Sequence, residues 1–359
     1  MDNENRYSIQ DLNEYIRQGE PGRRERALAW QTSIGLQAVD GLKPSQYLLD
    51  TARRNIEGEI TIDEVRQLVD SYYQNKTTRT SSDKDTEEAD KVSANINRIL
   101  ATDTFAFTVN GFISLHRRIF DGVLINAGKL REYDISKKEW VLRGNSVNYL
   151  NWEDLERAID YDLQQEKAFS YRGLSETEKV NHICRFVAGL WQIHPFGEGN
   201  TRTTAVFTIQ YLRSIGYQVT NNMFASHSWY FRNALVRANY KNVKLDIDYD
   251  YSFLEKFFGN LLLDEKHELK NRYMLILAPT EFQQADDNQK ATDDKPTITD
   301  DKMTRILAFL KHNGPCRRKE ISDMLGLKPT QTKAYLYKLL EQGKIAAHGA
   351  NRNRTYSLA

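Results

Sequence analysis

The chain has 359 residues, with 50 Lys and Arg against 49 Asp and Glu, a net charge of +1 and 40% hydrophobic residues. That length suits two or three domains, and the balanced charge excludes a uniformly basic or uniformly acidic protein. A polar N-terminus and the lack of a long apolar run argue against a signal peptide or membrane span. The two cysteines, Cys184 and Cys316, make no metal-site spacing, so free thiols and a cytoplasmic location are expected.

In chain order, Arg23 to Asp40 reads as a helix closed by Gly41 with Pro44 beyond, and Ser45 to Ile56 as a second closed by Gly58. The capping box Thr61 and Glu64 opens a third helix, which runs to Tyr73. Residues 1–73 therefore read as a compact three-helix unit. Gln74 to Asp90, rich in Thr, Ser, Asp and Lys with no apolar period, reads as a linker over 74–90. The central domain is expected over 91–277. In it, Ile135, Trp140, Val141 and Val147 alternate around Gly144-Asn145, which predicts a hairpin across Asp134 to Tyr149.

Ser175 and Glu178 form a capping box, and Val180, Ile183, Val187, Leu190 and Trp191 recur at helical spacing, so a buried helix delivers His194 at its C-terminal end. A second helix is read from Thr203 to Ile215. Between them lies His194-Pro195-Phe196-Gly197-Glu198-Gly199-Asn200-Thr201-Arg202. Glycines 197 and 199 let the backbone approach a ligand and aim its N–H groups at it, and the following helix N-terminus favours anions. A phosphate chain fits there. Taken singly, a histidine ending an apolar helix is most often a packing or capping residue, and Glu198 and Arg202 would be solvated charges. Their joint spacing reverses that reading.

Trp229 to Tyr240 is an aromatic-rich helix, read equally well as core or as pocket lining. Residues 278–301, which carry Asp286, Asp287, Asp293, Asp294, Asp300 and Asp301, read as a second linker. From residue 302 the last domain, 302–359, turns basic: residues 303–359 carry eleven Lys or Arg against Glu320, Asp323 and Glu341. Helices are expected at Met303 to His312, Arg318 to Leu325 and Pro329 to Gln342, then a hairpin from Lys344 to Leu358. This order resembles a winged helix-turn-helix, which would put Gln331, Lys333 and Tyr337 into a DNA groove with Arg352 and Arg354 on phosphates. Binding of a protein by the same surface stays open.

The run from His194 to Arg202 resembles the signature of the Fic (filamentation induced by cAMP) family, His-Pro-Phe-x-(Asp/Glu)-Gly-Asn-(Gly/Lys)-Arg. Only Thr201 departs from it. The resemblance extends to Leu115-His116-Arg117-Arg118-Ile119-Phe120 and Ala127-Gly128-Lys129-Leu130-Arg131, similar to the family's segment before its flap. It implies a mainly α fold, a Fic helical core with a small β-hairpin flap, here joined to a C-terminal winged helix-turn-helix. It also implies transfer of AMP from ATP to a Ser, Thr or Tyr hydroxyl of a target protein. His194 would be the general base, Glu198 the Mg2+ ligand, and Gly197, Gly199, Asn200, Thr201 and Arg202 the cradle of the nucleotide. Tyr230 and Asn239 would line the adenine pocket, and an edge strand of the flap would clamp the target peptide. Transfer of another phosphate-bearing group, AMP removal, and a nucleotide-sensing DNA-binding regulator remain the alternatives.

The N-terminal helices resemble the family's antitoxin-like repressor, whose motif is (Ser/Thr)-x-x-x-Glu-(Gly/Asn). Leu36-Gln37-Ala38-Val39-Asp40-Gly41 departs from that motif twice, with Asp for Glu and Leu for the hydroxyl residue. Glu57-Gly58 is the rival. Asp40 is expected to approach Arg202 as the inhibitory residue, self-modification is an expected accompaniment, and an oligomer is open.

Overall fold

The computed structural model describes residues 9–76, 80–102, 104–219, 222–276, 298–325, 332, 335–336, 339–340, 342–348 and 354–359. Helix dominates the described residues. The first compact unit, Met1–Asp286, begins with α1 (Ile9–Gln18), α2 (Pro21–Gly35), α3 (Gln46–Glu57), α4 (Ile62–Gln74) and α5 (Ser81–Leu100). It continues with α6 (Val109–Ile119), α7 (Leu155–Ala168), α8 (Glu176–Ile193), α9 (Asn200–Ser214), α10 (Asn222–Ser226), α11 (Ser228–Ala238) and α12 (Ser252–Leu262). Local chemistry explains many of the ends. Thr61 and Ser175 both complete the expected capping boxes, while Gly41 and Gly58 close their helices in the left-handed conformation.

Two expectations for the N-terminal part are corrected. The helix expected to run to Asp40 ends at Gly35 and tightens into a 3-10 turn, Leu36–Asp40. The 74–90 linker is for the most part helix: only residues 77–79 of it lie outside the described residues, and α5 starts at Ser81 on a Thr80–Asp83 capping box. Its buried face escaped notice because polar side chains occupy it. Asp90 accepts hydrogen bonds from Ser45 N–H at 2.8 Å and from the hydroxyls of Ser45 and Tyr73 at 2.5 and 2.7 Å. Ser93 donates to the Ser33 carbonyl, and Asn95 to those of Ile119 and Asp121. Satisfied in this way, such groups stay buried at little cost. α5 therefore joins two cores. Ala94 packs with Trp30, Leu48, Ile56 and Val69, whereas Val92, Ile96 and Ile99 pack into the larger core of the motif-bearing helices.

The segment 134–149 contains no paired strands. Instead a 3-10 turn, Trp140–Leu142, is closed by Glu139 N–H donating to Asn145 O at 2.9 Å and Gly144 N–H to Glu139 O at 2.9 Å. The alternation fails at adjacent residues, since Val141 and Leu142 are both fully buried. Ile276 N–H already takes the Val141 carbonyl, at 2.9 Å.

The second unit, Asp287–Ala359, holds α13 (Ile298–Asn313), β1 (Cys316–Arg317), α14 (Arg318–Leu325), β2 (Ile345–His348) and β3 (Thr355–Leu358). β2 and β3 form the expected antiparallel hairpin, with Ile345 opposite Leu358. The two-residue β1 adds a strand on the far side of β3. Met303, Ile306, Leu310, Ile321, Leu336 and Tyr356 fill its core. Gln331, Lys333, Tyr337 and Arg352 lie outside the described residues, and Arg354 is exposed.

Candidate active site

α8 carries a buried apolar stripe, Val180, Ile183, Val187, Leu190 and Trp191, and ends on His194, which takes the left-handed conformation at φ 49° and ψ 55°. That is a sparsely populated region for a residue with a Cβ, and such strain collects at functional positions. The surroundings hold it there. Arg131, its side chain fully buried, donates to the carbonyls of His194 at 2.9 Å, Tyr133 at 2.6 Å and Ile193 at 3.4 Å, and to that of Leu150. The His194 ring sits 4.2 Å from Tyr149 and edge-on to Trp191.

His194 Nδ1 lies 3.3 Å from the Trp191 carbonyl, which can only accept, so the hydrogen-bond pattern assigns the proton to Nδ1. Nε2 is buried with no hydrogen-bond partner among the described residues. Its lone pair is therefore free to accept a proton. Burial pushes the imidazolium pKa well below the ordinary value, with Lys137, Arg232 and Arg131 adding to the effect against the Trp191 carbonyl. The ring remains neutral and basic at physiological pH. At 2% exposure, however, it is covered.

The motif loop is shaped by its own side chains. Asn200 accepts from Phe196 N–H at 3.0 Å and donates to Phe196 O at 2.7 Å, which closes a four-residue turn. Gly199 has φ +74°, and a Cβ there would fall 2.2 Å from the Phe120 ring. Phe196 stacks on His116 at 3.7 Å, so it is a packing anchor. His116 itself accepts from Gly128 N–H at 2.8 Å and uses its other nitrogen on the Glu198 carbonyl at 3.1 Å. Burial lowers its pKa to about 4, so it holds the loop as a neutral ring. Sequence reading passed over this histidine, although its place in the Leu115–Phe120 run was the available signal.

Several residues expected at the nucleotide have partners within the protein. Both ends of the Asn200 amide are spent on Phe196, and Thr201 accepts from the Trp191 indole at 2.9 Å, so both residues build the loop from within. Tyr230, 2% exposed, donates to Phe253 O at 3.3 Å, while Asn239 donates to the carbonyls of Ala188 and Leu235 at 2.9 and 3.0 Å. These two are core residues. The aromatic helix packs because its rings are needed inside, which is the packing reading of its spacing.

Glu198, Gly199 and Arg202 do converge, on a cavity of about 280 Å³ that Asp40, Glu88 and Lys137 also line. Glu198 is exposed at its rim, and a second hollow of about 600 Å³ opens on its other side, past Gly197. Arg202 is 2% exposed and engaged on several sides. It donates to Gln37 Oε1 at 2.9 Å and to Glu88 Oε1 at 2.7 Å, lies over the Phe120 ring at 4.7 Å, and has Nε 2.9 Å from Asp40 Oδ2. Asp40 thus reaches Arg202 as expected, but the Nε–H does not point at the carboxylate, so this contact is electrostatic while the aligned hydrogen bonds go elsewhere.

The two other partners were missed. Gln37 stands four residues after Ser33, so Ser33-Ile34-Gly35-Leu36-Gln37-Ala38 fits the repressor spacing with two departures, Gln for Glu and Ala for Gly or Asn, which concealed it. Glu88 lay in the supposed linker. No described group of three His, Cys, Asp or Glu residues is arranged to hold a metal. An exposed carboxylate at Glu198, beside a cavity of phosphate size, suits a divalent cation that the phosphates themselves help to ligate.

The Fic/DOC family model matches residues 106–212, and the FaeA-like protein model matches residues 302–354. Protein adenylyltransferase VbhT of Bartonella schoenbuchensis is 30% identical over 113 residues, which are 32% of this chain and 22% of that protein, so the chain spans about a fifth of this relative's length. A crystal structure of a Fic family protein from Desulfovibrio desulfuricans G20 superposes with a TM-score of 0.43 at 15% identity, covering 98% of this chain and 93% of the other. No helix among the described residues is long and apolar enough to cross a membrane. With the signature His194–Arg202 inside the matched segment and a helical core around it, residues 106–212 of this chain are a Fic domain.

Proposed function

We propose that this protein transfers AMP from Mg-ATP to a hydroxyl of a protein, and that the described conformation is its restrained state. The observation that carries the reading is His194 Nε2, buried, neutral and without a partner, on a loop whose other groups suit a phosphate chain. The target hydroxyl would give its proton to Nε2 as its oxygen bonds the α-phosphorus, and the bond to pyrophosphate breaks. Glu198 would hold the magnesium ion, which neutralises charge on the departing pyrophosphate. Arg202, once free, would clamp phosphate oxygens bidentately.

The restraint follows from two facts. Arg202 is engaged by Glu88, Gln37 and Asp40, and the base is covered. Each anion near Arg202 occupies the place where a phosphate would be attracted. Repression by Asp40 alone would be weak, because its carboxylate is 43% exposed and screened by solvent.

The pH dependence of kcat/KM tests the base directly. Because the folded His194 pKa is depressed, the ring stays neutral as pH falls, so the rate should be flat from pH 8 to 6 and drop only well below 6.5. A midpoint at 6.5 or above would contradict the buried, partnerless ring.

A further inference from the structure

Lys137 is the described residue whose surroundings the motif leaves unexplained. It lines the same cavity as Glu198, Gly199 and Arg202, and it approaches from the turn of residues 134–149 instead of from the motif. Its own N–H is fixed on Ser146 Oγ at 3.1 Å. Two residues further on, Glu139 is fully buried, pairs with Arg232 on α11 at 2.7 Å and accepts from the Tyr149 hydroxyl at 3.2 Å, so the turn is anchored on both sides of the lysine. Yet among the described residues the ammonium itself takes neither an ion pair nor a hydrogen bond. Its charged neighbours are Asp40, Arg232, Glu139 and Glu198, and burial works against its charge. Lys138 beside it is exposed.

A half-buried ammonium with three unused donors has a desolvation cost and no compensating partner. Arg202, the cation across the cavity, is already engaged by hydrogen bonds to Gln37 and Glu88. Any polyphosphate entering the cavity therefore meets one cation already engaged and one free. We propose that Lys137 is a ligand of the nucleotide's phosphate chain, and that it supplies phosphate affinity while Arg202 is still held by the N-terminal helices. The inference rests on the nucleotide reading above but goes beyond it, because it assigns phosphate recognition to a residue outside the signature.

The test is calorimetric binding of Mg-ATP and of adenosine to the full chain in a His194→Ala background, which removes turnover. His194→Ala alone is compared with the same protein carrying Lys137→Gln or Lys137→Arg. Loss of a charged hydrogen-bonding group predicts ATP binding weaker by about ten-fold or more in Lys137→Gln, with adenosine binding unchanged and most ATP affinity kept by Lys137→Arg. ATP affinity within two-fold of the parent in Lys137→Gln would overturn the assignment. So would parallel loss of adenosine, or an arginine variant as weak as the glutamine one. Labelling of protein by α-phosphate-labelled ATP, run on the chain released by Glu88→Gln and Asp40→Asn with His194 intact, separates the two claims. Lys137-dependent ATP binding without labelling leaves the lysine assignment standing and sinks AMP transfer. Labelling with Lys137-independent binding does the reverse, and no ATP binding in any variant sinks both.

Discussion

Glu88→Gln combined with Asp40→Asn is expected to raise AMP transfer by about ten- to a hundred-fold over the parent protein, the range of a charge-assisted contact converted to a rate. The geometry orders the single variants. Glu88 makes an aligned 2.7 Å hydrogen bond to Arg202 and is 25% exposed, whereas Asp40 lies 2.9 Å from an Nε–H that does not point at it and is 43% exposed. Glu88→Gln should therefore release more activity than Asp40→Asn, and the two effects should be less than additive because both act on one guanidinium. Gln37→Glu should do the opposite. It restores a carboxylate at the repressor spacing, 2.9 Å from Arg202 Nη1, and would tighten the restraint. Initial rates of protein labelling at saturating ATP measure all four. Equal or lower activity in the double variant would show that the N-terminal helices do not govern Arg202.

Arg131→Ala is expected to cost about 3–5 kcal/mol of stability in urea unfolding, the size seen when a buried charged network loses its central member. The guanidinium is fully buried and donates to carbonyls of Tyr133, Leu150, Ile193 and His194, so its removal leaves several buried acceptors unpaired. It also holds His194 in its left-handed conformation, where a shift of about an ångström at the base would cost about a hundred-fold in rate. Arg131→Lys should recover little of either, since one ammonium cannot reproduce the fork. An Arg131→Lys protein with native stability and rate would contradict this account.

How much of this was legible in the sequence depended on whether the information was local. The signature loop, both capping boxes and the helix closed by Gly58 are written in neighbouring residues, and they appear where the sequence puts them. α5 was hidden because Asp90, Ser93 and Asn95 occupy buried positions made tolerable by partners on α2, α3 and α4 and after α6, none of which is near them in sequence. The turn at 134–149 carried an alternating pattern, but tertiary burial of both Val141 and Leu142 overrode it. At the site, the sequence put His194, Glu198, Gly199 and Arg202 on one loop, and the last three line one cavity. Asn200 and Thr201 were legible as important, but their role is to build the loop, which only their hydrogen-bond partners reveal. Tyr230 and Asn239 show the limit of borrowing a helix from a resemblance, since the helix is present and the side chains face the core.

The most direct test of the central claim is incubation of the protein with magnesium and α-phosphate-labelled ATP, with and without cell lysate. The parent, His194→Ala and the Glu88→Gln, Asp40→Asn double variant are compared. Label on protein that is strongest in the double variant and reduced by about a hundred-fold or more in His194→Ala is the predicted result. Label that persists undiminished in His194→Ala, or no label from any variant that still binds ATP, would contradict AMP transfer by this site.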